Sequence, residues 1–227
     1  DLYSSFSQQL RKDRYFNAIE ILQESGHLFA CECSRSKIRN SSANGIYPGT
    51  CRGKNINFLN EKHTWRIIVP ENTIVCYSNL AKNKNEIDLT NGTGDFVIRR
   101  KDGLPAYQIA SLMDDIEMSV NLIVRGADLI SSTGSQLFLA KCLNDSFFPA
   151  TQFVHHMLIK NQSRQKLSKS SGDYSLKLLR KKYSNPTIIY QQSAEILNLP
   201  FKDIETLEDL KEVFRTGMIQ RKNLMLF

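Results

Sequence analysis

Three groups of residues in this sequence have types and spacings suited to chemistry. The first is Cys31, Cys33 and Cys51, with Gly45, Pro48 and Gly49 bending the chain between them. That arrangement can gather three thiolates around zinc, which takes four ligands in a tetrahedron. No fourth cysteine is near, and His27 and His63 lie outside the loop, so Tyr47 is the candidate inside it, although a phenolate is an uncommon zinc ligand. The competing reading is free thiols in a reduced protein. The second group is Tyr107 and Arg125. Tyr107 puts a hydroxyl among apolar neighbours, and Arg125 ends an apolar run, where a permanent cation needs an anionic partner. Taken alone, a buried tyrosine with a local hydrogen bond and an arginine at a rim salt bridge is the simpler account of them. The third is the polar run from Lys160 to Gly172, with four cations and with three serines in its last five residues. It reads either as a solvated loop or as a mobile phosphate clamp, in which lysine acts as a point charge beside serine hydroxyls. It lacks the glycine pattern of a P-loop.

The elements that must position these groups can be read from periodicity and turn chemistry. From Gly94 to Asp128 the order is strand, turn, helix, strand. Phe96 to Ile98 is apolar and β-favouring, and Lys101-Asp102-Gly103 is a turn. Pro105 suits the first turn of a helix carrying Tyr107, with Ile109, Leu112 and Met113 at helical spacing. Leu122 to Val124 reads as a buried strand closed by Arg125-Gly126. Ligands of open α/β sheets bind beyond the carboxyl ends of such strands. Upstream, Arg11 to Gly26 predicts a helix with Tyr15, Ala18, Ile19 and Leu22 on one stripe, and Leu28 to Ala30 predicts a strand or turn. Ser34 to Asn44 is polar and basic. Trp65 to Val69 and Ile74 to Cys76 read as strands around the turn at Pro70, Lys82 to Glu86 as a surface loop, and Cys76 as a buried apolar residue.

Downstream, Ser131 to Gly134 can start a helix that continues to Leu143, with Leu137, Ala140 and Leu143 on one face. Val154 to Ile159 reads as a strand. His155 and His156 point to its opposite faces, which makes a metal pair unlikely. Ser175 to Tyr183, Thr187 to Leu197 and Thr206 to Phe214 read as helices.

A chain of 227 residues holds one large domain or two modest ones, and 41% hydrophobic with 23% charged residues are globular values. No apolar run is long enough to span a bilayer, and the start does not resemble a signal peptide. A net charge of +7 fits an anionic partner such as nucleic acid. Five cysteines, an odd number, favour a reducing compartment over a disulfide framework. The first residue is Asp1, and we expect the sequence to be a piece of something longer.

Three motifs carry a resemblance. Lys166-Leu167-Ser168-Lys169-Ser170 is similar to the Lys-Met-Ser-Lys-Ser signature. Asp95 to Asp115 with Ile123 to Asp128 is similar to a glutamate-binding core. Cys31-Glu32-Cys33-Ser34-Arg35 with Tyr47-Pro48-Gly49-Thr50-Cys51-Arg52 is similar to a zinc segment. In this order they resemble the glutamyl-tRNA synthetase group of class I aminoacyl-tRNA synthetases, from Arg14 to about Phe214. Within it they are most similar to the glutamyl-Q tRNA(Asp) branch, whose zinc segment ends Tyr-x-x-x-Cys. The short stretch after Ser170 would also leave no room for an anticodon-binding domain, as expected for that branch.

The resemblance implies an α/β fold: a Rossmann-like class I synthetase core with a small zinc-bearing insertion and a helical C-terminal piece. Residues 1–30 would be part of the nucleotide-binding core, 31–93 the zinc-bearing insertion, 94–170 the second half of the core and 171–227 the helical segment. It implies activation of L-glutamate with ATP and magnesium, then transfer to queuosine in tRNA(Asp), by a cytoplasmic monomer that engages no membrane. Cys31, Cys33, Tyr47 and Cys51 would bind zinc. Tyr107 and Arg125 would hold glutamate. Lys166, Ser168, Lys169 and Ser170 would contact ATP, with Lys169 catalytic as pyrophosphate leaves. The family's His-x-x-His-like ATP motif and its upstream glutamate-binding residues are not in this sequence, so we expect these 227 residues alone not to form glutamyl-adenylate. The rival readings are a truncated enzyme charging tRNA(Glu) and a non-catalytic zinc and tRNA-binding module.

Overall fold

The computed structural model describes residues 5–42, 44–59, 62–79, 82–158 and 176–220. The expected ATP contacts Lys166, Ser168, Lys169 and Ser170 lie outside them. The chain divides into two compact units, 1–155 and 156–227.

In the first unit, α1 (Lys12–Glu24) buries Tyr15, Ala18, Ile19 and Leu22, the stripe read from the sequence, and Gly26 at φ +71° follows its C-terminal end. A three-stranded sheet has the order β1 (Leu28–Cys31), β2 (Thr64–Ile67), β5 (Val97–Arg99), with antiparallel pairs throughout. A four-stranded sheet has the order β4 (Lys84–Asp88), β3 (Ile74–Asn79), β7 (Gln152–His156), β6 (Leu122–Gly126). In it, β3 runs antiparallel to β4 and parallel to β7. Segment 31–93 contributes strands to both sheets. It also carries α2 (Arg35–Ser41), whose N-cap Ser34 accepts the Lys37 amide at 3.1 Å, and the short α3 (Leu89–Gly92). The central helices are α4 (Tyr107–Glu117) and α5 (Ile130–Cys142).

Several expectations are corrected. The strands expected around Pro70 are present as β2 and β3, but in different sheets: β2 is filled on both sides by β1 and β5, and β3 pairs with β4 and β7. Lys84–Asp88 is an edge strand rather than a loop. Its polar residues face solvent while Ile87 turns inward. Cys76 is exposed, not buried, because strand alternation gives the inner position to its neighbour Tyr77. Leu122 and Val124 are also exposed, at 42% and 62%, because β6 ends the sheet order. The strand–helix–strand reading holds for β5, α4 and β6, but the two strands belong to different sheets. Pro105 lies just ahead of α4, bridging Arg99, and Ala106 takes the N-cap. The last strand starts at Gln152 and stops at His156, two residues earlier at its start than expected, and buries His155 while exposing His156. In α5 the run Ser132 to Ala140 is buried on every side, not on one face.

The core joins α1, both sheets, α4 and α5 through Leu22, Ile67, Ile98, Phe153, Leu112 and Leu139. A buried polar staple ties α1 to α4. Asp114 accepts Arg11 Nε at 2.8 Å, Tyr15 Oη at 2.7 Å and Gln8 Nε2 at 2.7 Å, so its charge is fully compensated.

The second unit holds α6 (Leu176–Lys182), α7 (Thr187–Ile196) and α8 (Leu207–Gln220). Ala194, Leu199 and Ile204 form its small core. Thr206 and Asp209 exchange hydrogen bonds at the start of α8, a reciprocal helix cap. Among the described residues, no helix is long and apolar enough to cross a membrane.

Candidate functional site

Cys31 closes β1, Cys33 follows two residues on, and Gly45 and Gly49, both at positive φ, turn the chain back to present Tyr47 and Cys51. The three sulfurs lie within 4.8 Å of one another, with Cys33 and Cys51 at 3.6 Å. Tyr47 Oη is 3.4 Å from Cys31 Sγ and accepts the Cys51 amide at 2.7 Å. In a tetrahedral zinc site with Zn–S bonds of about 2.3 Å, the ligand sulfurs sit about 3.7 Å apart. These donors are therefore already near the spacing that zinc needs.

Their protonation reflects the crowding. Burial pushes the Cys31 thiol up, but hydrogen bonds from Tyr47 and the Cys33 backbone, together with the Arg66 cation, outweigh it and leave that thiol lowered. Burial, the Cys51 hydrogen bond and the nearby Cys31 push Cys33 up to about 11. Burial and the same two thiols hold the Tyr47 phenol above its ordinary value. Arg66 stacks on the Tyr47 ring at 4.1 Å. Arg52, directly after Cys51, reaches back to the buried Asp95 with Nε at 3.0 Å from Oδ2. Asp95 also accepts the Val69 amide at 2.8 Å on its side chain and Arg66 Nη1 at 2.8 Å on its carbonyl. Asp95 thus pins the cysteine loop to the three-stranded sheet.

A second constellation lies where α4, β6 and α5 meet. Tyr107 is the first residue of α4 and half exposed, and Arg125 on β6 is only 8% exposed. Arg125 Nη1 donates to Gln136 Oε1 at 2.8 Å, and its guanidinium lies 5.2 Å from the Phe153 ring centroid. Among the described residues, its Nε and Nη2 have no hydrogen-bond partner, nor does Gln136 Nε2. Burial chiefly lowers the Arg125 pKa, against the opposing pull of Tyr107 and Asp115. Burial likewise raises Asp115, against the pull of Arg125. A desolvated cation with unused N–H groups is costly until an anion arrives, and a carboxylate matches the guanidinium fork.

The structure therefore brings Cys31, Cys33, Tyr47 and Cys51 together, and sets Tyr107 within electrostatic reach of Arg125. It adds residues that the sequence reading missed. Gln136 is fully buried on α5, and Gln108 on α4 donates to Ser132 Oγ at 3.1 Å while its Oε1 lacks a partner among the described residues. The available signal was polar amides at helix positions that periodicity assigns to the interior.

Comparison with known proteins gives this geometry a family. The model of class I tRNA synthetases (E and Q), catalytic domain, matches residues 3–216. The chain is 32% identical to a glutamyl-Q tRNA(Asp) synthetase of Acinetobacter baylyi, over 88% of this chain and 63% of that protein. It is 33% identical to one from a Janthinobacterium species, over 91% of this chain and 70% of that one. It is 37% identical to one from Pseudomonas putida, over 80% and 57%. The chain thus spans roughly three fifths of the length of these curated relatives. The fold is similar to that of a glutamate-tRNA synthetase crystal structure from Elizabethkingia anophelis, with a TM-score of 0.57 at 24% identity over 73% of this chain and 37% of that one. With the family model matching nearly its whole length, this chain belongs to the class I tRNA synthetases of the E and Q group, matching the model of their catalytic domain over residues 3–216.

Proposed function

We propose that the protein carrying this chain activates L-glutamate with ATP and transfers it to the queuosine base of tRNA(Asp) in the cytoplasm. The observation that carries this reading is Arg125, a buried guanidinium near the end of β6 with two nitrogens that find no hydrogen-bond partner among the described residues. It is built to receive a carboxylate, and the relatives named above are glutamyl-Q tRNA(Asp) synthetases. Tyr107, at the start of α4, would supply a hydroxyl to the same ligand, and Gln136 holds Arg125 in place. Lys166, Ser168, Lys169 and Ser170 would follow the phosphates of ATP and its magnesium, and Lys169 would offset charge as pyrophosphate leaves. Cys31, Cys33, Tyr47 and Cys51 would hold a zinc ion whose task is structural, since all four donors come from protein and no position is left open.

The test is ATP-dependent transfer of labelled glutamate by the natural full-length protein, to tRNA(Asp) with and without queuosine. We expect label only with queuosine, and we expect it to survive removal of the 3′-terminal adenosine. Label on the 3′ end of tRNA(Glu) would overturn this assignment in favour of conventional tRNA charging. RNA binding with no transfer to either tRNA would favour a binding module.

A further inference from the structure

A cavity of about 370 Å³ opens beside the cysteine cluster, lined by Tyr47 and by residues of α2 and β5. Arg35 and Arg39 of α2 and Arg66 of β2 line it, with Tyr47 and Phe96 as apolar walls. Arg66 is only 8% exposed; its Nη1 donates to the Asp95 carbonyl, and among the described residues its Nε has no hydrogen-bond partner. Thr93, which also lines the cavity, buries a hydroxyl that likewise finds no partner among the described residues. The one acid in the lining, Asp95, has its carboxylate oxygens committed to Arg52 and the Val69 amide. α2 carries Arg35, Lys37 and Arg39 and no acidic residue, and none of these three takes part in an ion pair among the described residues.

Three arginines around one recess, with a buried N–H and hydroxyl unspent, make an anion site. Guanidinium forks match phosphate oxygens in particular. The apolar walls also favour an anion that brings carbon with it. We propose that this cavity binds a backbone phosphate of the RNA partner, with Arg66 and Thr93 as the buried floor and Arg35 and Arg39 as the exposed clamp. This rests on the reading that RNA is the partner, but not on the transfer reaction. It gives the cysteine cluster a consequence beyond folding, because the loop that gathers the thiols also orients α2 over the cavity.

Arg35 and Arg39 are exposed, so the double variant Arg35→Gln/Arg39→Gln should keep its fold and metal content, checked by melting and metal analysis. The measurement is binding of tRNA by the full-length protein over a salt series, without ATP or glutamate. We expect affinity about tenfold weaker near 0.1 M salt, and a plot of log affinity against log salt whose slope is shallower by about one to two. Unchanged affinity and slope would overturn the proposal. In parallel, inorganic phosphate is titrated while the Arg66 Nε–H resonance is followed. A phosphate-dependent shift combined with unchanged tRNA binding would make this a site for a free anion and would overturn the RNA assignment. Because no step requires glutamate, a failure here and a failure of the transfer reading are separate results.

Discussion

The cysteine cluster draws four donor atoms from residues 31 to 51, whereas the Arg125 pocket draws on α4, β6 and α5. The donors of the first already touch one another: sulfur lies near sulfur, the phenol near a thiol, and the Cys51 amide on the phenol oxygen. The groups of the second are left short of partners among the described residues, with Arg125 Nε, Arg125 Nη2 and Gln136 Nε2 buried and unbonded there. On the proposed reading, the first would hold the protein together and the second would wait for a ligand. Stability and binding should therefore respond in opposite ways at the two places.

The largest effect is expected at the cysteines. Removing zinc with a chelator, or Cys51→Ser, should lower the melting temperature of the first unit by about 10 °C, since metal binding free energy becomes folding free energy and about 3 kcal/mol or more is at stake. Calorimetry with and without chelator measures this, and an unchanged transition would remove the structural metal from the account. Next in size, Arg125→Met should weaken glutamate binding by about 2 kcal/mol or more, roughly thirtyfold, while leaving the melting temperature unchanged or higher. Titration calorimetry and thermal melting read the two halves. A melting loss as large as that of zinc removal would show that Arg125 is structural and erase the contrast. The smallest effect is expected from Gln136→Glu, which hands Arg125 an internal carboxylate. Glutamate binding should weaken by about tenfold with stability held or raised, because the cation is then already paired. Tighter glutamate binding in that variant would show that Gln136 orients Arg125 without limiting its charge.

The two regions also differ in how far the sequence disclosed them. The cysteine cluster was legible because its spacing and its turn glycines are local. Tyr47 as the fourth donor needed either the family resemblance or the folded loop, because nothing in the spacing favours a phenol. Arg125 was legible as a cation out of place on an apolar strand. Gln136, its fixed partner, was not, since a glutamine in a helix is ordinary until its burial is known. Cys76 shows the reverse error: its residue type favours the interior, but the strand register turns it outward. The phosphate cavity was hidden altogether, because Arg35 and Arg39 were part of a polar stretch and Arg66 part of a strand, and only folding puts them around one space.

By itself the sequence determined what depends on neighbours along the chain. That includes the stripe of α1, the turn before α4, the gathering of Cys31, Cys33 and Cys51, the opposed faces of His155 and His156, and a motif order specific enough for the family. The tertiary structure alone decided which strands share a sheet. Pairing is a contest among distant partners: β2 is taken by β1 and β5, so β3 is sent to β4 and β7. It also decided which polar groups are buried without partners, because desolvation depends on everything packed around an atom and not on its place in the chain.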